Sequence, residues 1–113
     1  MSPVQVKSRT VKGASVLHLE GTIDGSSAPA AQAAIVPLLE PGCRVVLDLS
    51  GVDFMSSAGL RLMLLIFRQV SAAGGKVAMI GLSEDIRDTM SLTGFLDFFT
   101  TADSEDDALL AVA

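Results

Sequence analysis

The sequence predicts an α/β protein: a mostly parallel mixed sheet that opens with an antiparallel hairpin and is covered by about four helices. Three observations carry this prediction. From Arg44 onwards, short branched-aliphatic runs alternate with stretches of helical length and composition, the pattern of parallel strands joined by crossover helices. Two of those runs, Arg44-Val45-Val46-Leu47-Asp48-Leu49 and Lys76-Val77-Ala78-Met79-Ile80, are almost continuously apolar, as strands covered on both faces are. Ahead of them, two strand-like segments are separated only by a turn at Lys12-Gly13, so they pair as a hairpin.

Each element follows from local chemistry. Val4-Gln5-Val6-Lys7 alternates apolar and polar, and Val16-Leu17-His18-Leu19-Glu20 forms the second strand, broken by the stretch from Gly21 to Gly25. Ser26-Ser27-Ala28-Pro29 supplies a hydroxyl cap and an early proline. The helix it starts runs through alanines to about Leu39, with Pro37 distorting its last turn. Pro41-Gly42 precedes the strand at 44–49. A second helix is expected from about Ala58 to Ala73, closed by Gly74-Gly75. Gly81 ends the strand at 76–80. Ser83 caps a third helix with Glu84 and Asp85 in its first turn, where the helix dipole favours acids. Gly94 ends that helix, Phe95 to Thr100 reads as a short last strand, and Asp103 begins a final helix to about Val112. With no internal repeat or low-complexity linker, residues 1–113 are expected to form one domain.

Composition narrows the function. Half of the residues are hydrophobic and 19% are charged, so a packed core is expected rather than disorder. Trp and Tyr are absent and Phe occurs five times, so that core is aliphatic. The net charge is −5, and the bases Lys7, Arg9, Lys12, Arg44, Arg61, Arg68, Lys76 and Arg87 are scattered. No basic stripe or stacking platform addresses nucleic acid. The late acids Asp97, Asp103, Glu105, Asp106 and Asp107 read as a solvated face and a helix start. The longest apolar run, Leu62 to Phe67, is far short of a membrane span, and the N-terminus has no signal-peptide stretch. A lone Cys43 allows no internal disulfide. It reads as a small buried hydrophobe and fits a reducing, cytoplasmic location. No metal, cofactor or enzymatic activity is expected. There is no Cys/His cluster, Gly74-Gly75-Lys76 is a helix stop rather than a P-loop, and the only histidine, His18, lies on the more polar face of its strand, away from any serine partner.

The stretch Asp53-Phe54-Met55-Ser56-Ser57-Ala58-Gly59-Leu60-Arg61 holds the candidate site. Two readings of Ser57 stand side by side. Its hydroxyl caps the helix, worth about 1 kcal/mol, or it accepts a phosphate, which the free N–H groups and dipole of a helix start favour. On a helical wheel, Leu60, Met63, Leu64, Phe67 and Val70 gather as the core stripe, while Arg61, Leu62, Leu65, Arg68 and Gln69 fall on the other side. Those outer leucines pack on neighbouring helices or form an apolar anchor with a basic rim for a partner. Asp24 is a turn acid, or a carboxylate beside the Ser57 loop at the carboxyl end of the sheet. Asp48 in Val45-Val46-Leu47-Asp48-Leu49 also resembles the strand aspartate of response-regulator receivers, but the acidic pair and late lysine of that family have no counterpart.

Three segments together resemble the STAS domain, the fold of bacterial anti-sigma factor antagonists. They are Leu19-Glu20-Gly21-Thr22-Ile23-Asp24; the more specific run from Val46 through Asp48-Leu49-Ser50-Gly51-Val52-Asp53-Phe54-Met55-Ser56-Ser57-Ala58-Gly59 to Leu60; and Gly74-Gly75-Lys76 with Val77 to Gly81, followed by Ser91-Leu92-Thr93-Gly94-Phe95. The resemblance implies a protein-binding switch. A partner that is both anti-sigma factor and ATP-dependent serine kinase binds the unphosphorylated form, phosphorylation releases it, and a metal-dependent serine phosphatase reverses the change. Carried over, the acceptor falls on Ser57, with Ser56 as the less favoured choice, and Asp24, Ser56, Ala58 and Gly59 stand near it. Thr22, Met55, Leu60, Arg61, Leu62 and Leu65 are the expected partner interface. Family members often carry Asp before the acceptor and Ser or Thr after it; here those positions are Ser56 and Ala58. The alternative the family allows is a phosphorylation-independent scaffold in a sensory or signalling complex.

Overall fold

The computed structural model describes residues 3–113. Strands β1 (Gln5–Val11) and β2 (Ala14–Ile23) form the expected antiparallel hairpin. Its turn, Lys12-Gly13, has φ of 52° and 79°, the pair of positive values that matches the right-handed twist of the flanking strands. Strands β3 (Arg44–Met55), β4 (Lys76–Ile80) and β5 (Thr100–Thr101) then add in parallel, giving the order β1-β2-β3-β4-β5.

Helices α1 (Ala28–Ile35), α2 (Ser57–Ala72) and α3 (Glu84–Leu92) connect successive parallel strands, and α4 (Glu105–Ala111) follows the last. The strand order advances in one direction, so crossovers of one hand place all three connecting helices on the same face. There Leu17, Leu19, Val45, Leu47 and Met79 meet Ile35, Met63, Ile66 and Met90. Helix α4 covers part of the other face, where Val16, Val46 and Ala78 meet Ala108, Leu109 and Val112. β3 is therefore buried on both sides, which is why its first half reads as a continuous apolar run.

Four boundaries differ from the sequence reading. α1 stops at Ile35, and Val36–Leu38 tightens into a 3-10 turn, because Pro37 has no N–H to continue the ladder. β3 runs on to Met55 rather than ending near Leu49. Phe95–Phe98 is a 3-10 turn, and the last strand shrinks to Thr100–Thr101. In that region Phe67 packs its ring against Phe98 and Phe99, with centroids 5.7 and 5.5 Å apart, so aromatic contacts rather than strand pairing hold the segment. Ser104, not Asp103, caps the final helix, accepting from the Asp107 amide at 3.1 Å.

The part of the sheet that α4 leaves open is polar. His18, on the more polar face of β2 as expected, faces Asp48 across the ladder with Nδ1 2.8 Å from Oδ2. Arg9 Nε donates to His18 Nε2 at 3.1 Å. A guanidinium only donates, so Nε2 is the acceptor and Nδ1–H points to Asp48. Arg9 also pairs with Glu105, tying the first turn of α4 to the hairpin.

Burial opposes ionisation of Asp48, but hydrogen bonds from the Ser50 amide (3.0 Å), the Ser50 hydroxyl and His18 outweigh it and hold the carboxyl below its ordinary value. A carboxyl with a depressed folded pKa adds stability above its unfolded value of about 3.9 and loses it as pH falls through the folded value. Asp48→Asn should therefore be less stable than the parent at pH 7, with the gap closing below about pH 4. Urea midpoints at neutral and acid pH check this; an equal gap at both would show that the carboxylate contributes no such pH-dependent stability.

Candidate functional site

The site is built by the parallel pairing of β2 and β3, which end together at Ile23 and Met55. Between the His18–Asp48 and Ile23–Met55 pairs, β3 carries two residues more than β2, absorbed as two register shifts. These bulges let Val52 and Met55 both reach the core although their spacing is odd. The ladder closes with Ser56 N donating to Ile23 O at 2.9 Å. The loop that begins at Asp24 and the turn that begins at Ser56 therefore both leave the carboxyl end of the sheet, joined at the Ser56–Ile23 bond.

The two serines take different roles. Ser56 is extended (φ −82°, ψ −179°), and its hydroxyl accepts from Ala58 N at 3.2 Å, so Ser56 is the helix cap. Ser57 is the first helical residue. It is exposed, and its hydroxyl makes no hydrogen bond among the described residues. The capping reading of Ser57 is thus corrected: its neighbour does that work. Ala58 is half-buried and Gly59 is buried. A Cβ on Gly59 would lie 2.9 Å from Ile23 O and 3.0 Å from Ile23 Cγ2, so only glycine lets α2 start this close to the end of β2.

Asp24 organises its own loop. Its Oδ1 accepts from the Ser26 amide (2.9 Å), the Ser26 hydroxyl (2.6 Å) and the Ser27 amide (3.1 Å). The Ser26 hydroxyl is the main cause that holds this carboxyl below its ordinary range, followed by the Ser26 amide, against a smaller opposing effect of burial. Asp24 makes no hydrogen bond to Ser57; its carboxylate is engaged within its own loop, as a turn acid is, and is not placed as the serine's base. Ser27 occupies the N-cap position of α1, but the hydroxyl cap expected from Ser26-Ser27 does not form there: the Ser27 hydroxyl is buried, donating to Thr22 O at 2.7 Å and accepting from Asp24 N at 3.0 Å. Thr22 is 2% exposed, and its hydroxyl donates to Asp53 at 3.0 Å.

The outer face of α2 differs from the wheel. Leu62, expected outside, is 4% exposed and belongs to the core that α1 helps to close; Leu64, expected inside, is only half-buried. A wheel orders residues by angle but does not know where the neighbouring helix lies. Ile66, absent from the expected stripe, is fully buried. Thr22, Met55 and Leu60 are buried too, so of the six expected interface residues only Arg61 and Leu65 offer appreciable surface. With Leu64, Arg68 and Gln69 they line a shallow depression on the helix. Phe54, not singled out from the sequence as a surface group, is 47% exposed beside Asp85, Ile86 and Thr89 of α3. Strand alternation beside an inward Met55 was the available signal. Among the described residues no group of three or more His, Cys, Asp or Glu is placed to hold a metal ion, and no helix is long and apolar enough to cross a membrane.

A five-stranded sheet with a leading antiparallel hairpin, three helices on one face and one on the other is the architecture of STAS domains. The sequence matches the STAS domain family over residues 5–108, and the chain belongs to that family. BtrV of Bordetella bronchiseptica is 32% identical over 89% of this chain and 88% of its own. The anti-sigma-B factor antagonist of Bacillus subtilis is 33% identical over 72% of this chain and 74% of its own. An anti-sigma factor antagonist from Mycobacterium paratuberculosis has a similar structure, with TM-score 0.86 and 29% identity over 96% of this chain and 93% of that one. Bacillus SpoIIAA in its phosphorylated form, at 21% identity, shares the fold with TM-score 0.71 over 97% and 99% of the two chains.

The geometry separates the serines by stability. Ser56→Ala should cost about 1 kcal/mol, whereas Ser57→Ala should stay within about 0.5 kcal/mol of the parent. Denaturant melts of both check this, and equal losses would contradict the assignment of the cap. Gly59→Ala should destabilise by about 1–3 kcal/mol through the clash with Ile23. An unchanged melting midpoint would show that the helix start can back away from β2.

Proposed function

We propose that this chain is an anti-sigma factor antagonist that works as a phosphorylation-controlled binding switch in the cytoplasm, without catalysing a reaction itself. The observation that carries the reading is the division of labour between Ser56 and Ser57. With Ser56 engaged as the cap, Ser57 presents an unengaged, exposed hydroxyl at the head of the α2 face that bears Arg61, Leu64, Leu65 and Arg68. The names of two relatives, in Bacillus subtilis and Mycobacterium paratuberculosis, support the antagonist role. The SpoIIAA structure in a phosphorylated form supports a phosphate on this fold.

Unphosphorylated, the chain binds a serine-kinase anti-sigma factor through the Ser57 turn and the outer face of α2. The partner, which holds the ATP and its metal ion, transfers the terminal phosphoryl group to Ser57 Oγ, and the hydroxyl proton leaves to the kinase. The phosphate brings about −1.5 to −2 charge. The start of α2 tolerates an anion, so the fold persists; a partner surface that must bury an unpaired dianion does not. The change is read by association rather than refolding. A metal-dependent serine phosphatase resets it.

Ser57→Asp should weaken binding to the serine-kinase anti-sigma factors of the native genome by roughly 100-fold, while Ser57→Ala binds like the parent. Calorimetry on the purified pair gives the answer. Equal binding by both variants, together with no phosphate on Ser57 in fragment-resolved mass spectra of the native protein, would instead make the chain a phosphorylation-independent scaffold. A phosphate on Ser56 would keep the mechanism and move the site.

A further inference from the structure

We propose that Arg61 is the built-in counter-ion of a phosphate on Ser57, so that phosphorylation withdraws a cation from the docking face as well as adding an anion to it. The inference rests on the phosphorylation reading above and adds a part for Arg61 within it. Ser57 and Arg61 both lie in α2, four residues apart, and both are exposed. Residues at that spacing are neighbours on a helix surface, and an anion placed N-terminal to a cation is the favourable order. Long helical side chains also lean towards the N-terminus, which carries the guanidinium from Arg61 back towards Ser57.

Two further observations make Arg61 the group that responds. Among the described residues its side chain makes no ion pair or hydrogen bond, unlike Arg9, which is held by Glu105 and His18. The acids at this end of the sheet cannot take that part: Asp24 is satisfied by Ser26 and Ser27, Asp53 accepts from Thr22, and both are negative, so they repel a phosphate rather than neutralise it. In the unmodified chain Arg61 instead rims the depression formed with Leu64, Leu65, Arg68 and Gln69. A planar guanidinium takes two phosphate oxygens at once. Once so engaged it is no longer available to a partner, and Arg68 is left as the one cation lining the depression.

The test installs phosphoserine at position 57 by codon reassignment, which makes it independent of any kinase, and follows the phosphate by 31P NMR through a pH titration at low salt. In the parent, Arg61 favours the dianion; in Arg61→Gln the phosphate midpoint should rise by about 0.3 pH unit. Arg61→Lys should recover most of that difference, and Arg68→Gln, farther along the helix, should leave the midpoint unchanged. The Arg61 Nε–H signal should also shift on phosphorylation while that of Arg68 does not. Equal midpoints in the parent and Arg61→Gln, or an equal effect of Arg68→Gln, would overturn the pairing. A native protein that never carries phosphate on Ser57 would instead overturn the reading on which it rests, whatever the NMR shows.

Discussion

The parallel ladder between β2 and β3 is the constraint on which the rest depends. Each strand is buried on the three-helix side, and β3 is covered by α4 as well. A fully buried aliphatic side chain contributes about 1.5–3 kcal/mol, so Leu17, Leu19, Val45, Val46, Leu47 and Leu49 make this pairing costly to shift. A slip by one residue would turn the apolar set of β3 over. Because the pairing is fixed, so are the ends of both strands. The bond from Ser56 N to Ile23 O then closes the ladder and places the Asp24 loop against the start of α2.

This arrangement suits a switch that acts by charge. The Asp24 loop is internally satisfied through Ser26, Ser27 and Thr22. The start of α2 is locked by Ser56 and by the close approach of Gly59 to Ile23. Ser57 therefore stands exposed at a junction whose neighbours are already engaged, so on the proposed reading a phosphate there would change the surface and leave the scaffold as it is. The His18–Asp48 and Arg9–Glu105 pairs hold the hairpin and α4 on the opposite face, using groups separate from those around Ser57.

Much of the fold is legible in the sequence, and the exceptions have local causes. The strands at 44–49 and 76–80 announce themselves because burial on both faces demands an unbroken apolar run. The continuation of β3 through Ser50-Gly51-Val52-Asp53 does not, because two bulges break the alternation that marks a strand. The last strand is misjudged for a related reason. Phe95, Phe98 and Phe99 look like strand residues, but Phe98 and Phe99 settle against Phe67, and Phe95 and Leu96 against the core, instead.

By itself the sequence determined the order of elements, the mixed sheet and the position of a serine pair at a strand–helix junction. These follow from composition and periodicity, which act within a few residues of the chain. Only the tertiary structure decided which serine caps and which is free, since both have the same hydroxyl and the choice turns on which backbone is extended when Ser56 bonds to Ile23. It alone decided that Leu62 is core and Leu64 is surface, because the placement of α1 against α2 is a long-range fact that no angle on a wheel contains. The serine pair and the arginines of α2 are written locally; which of these groups is exposed is set by what packs beside them.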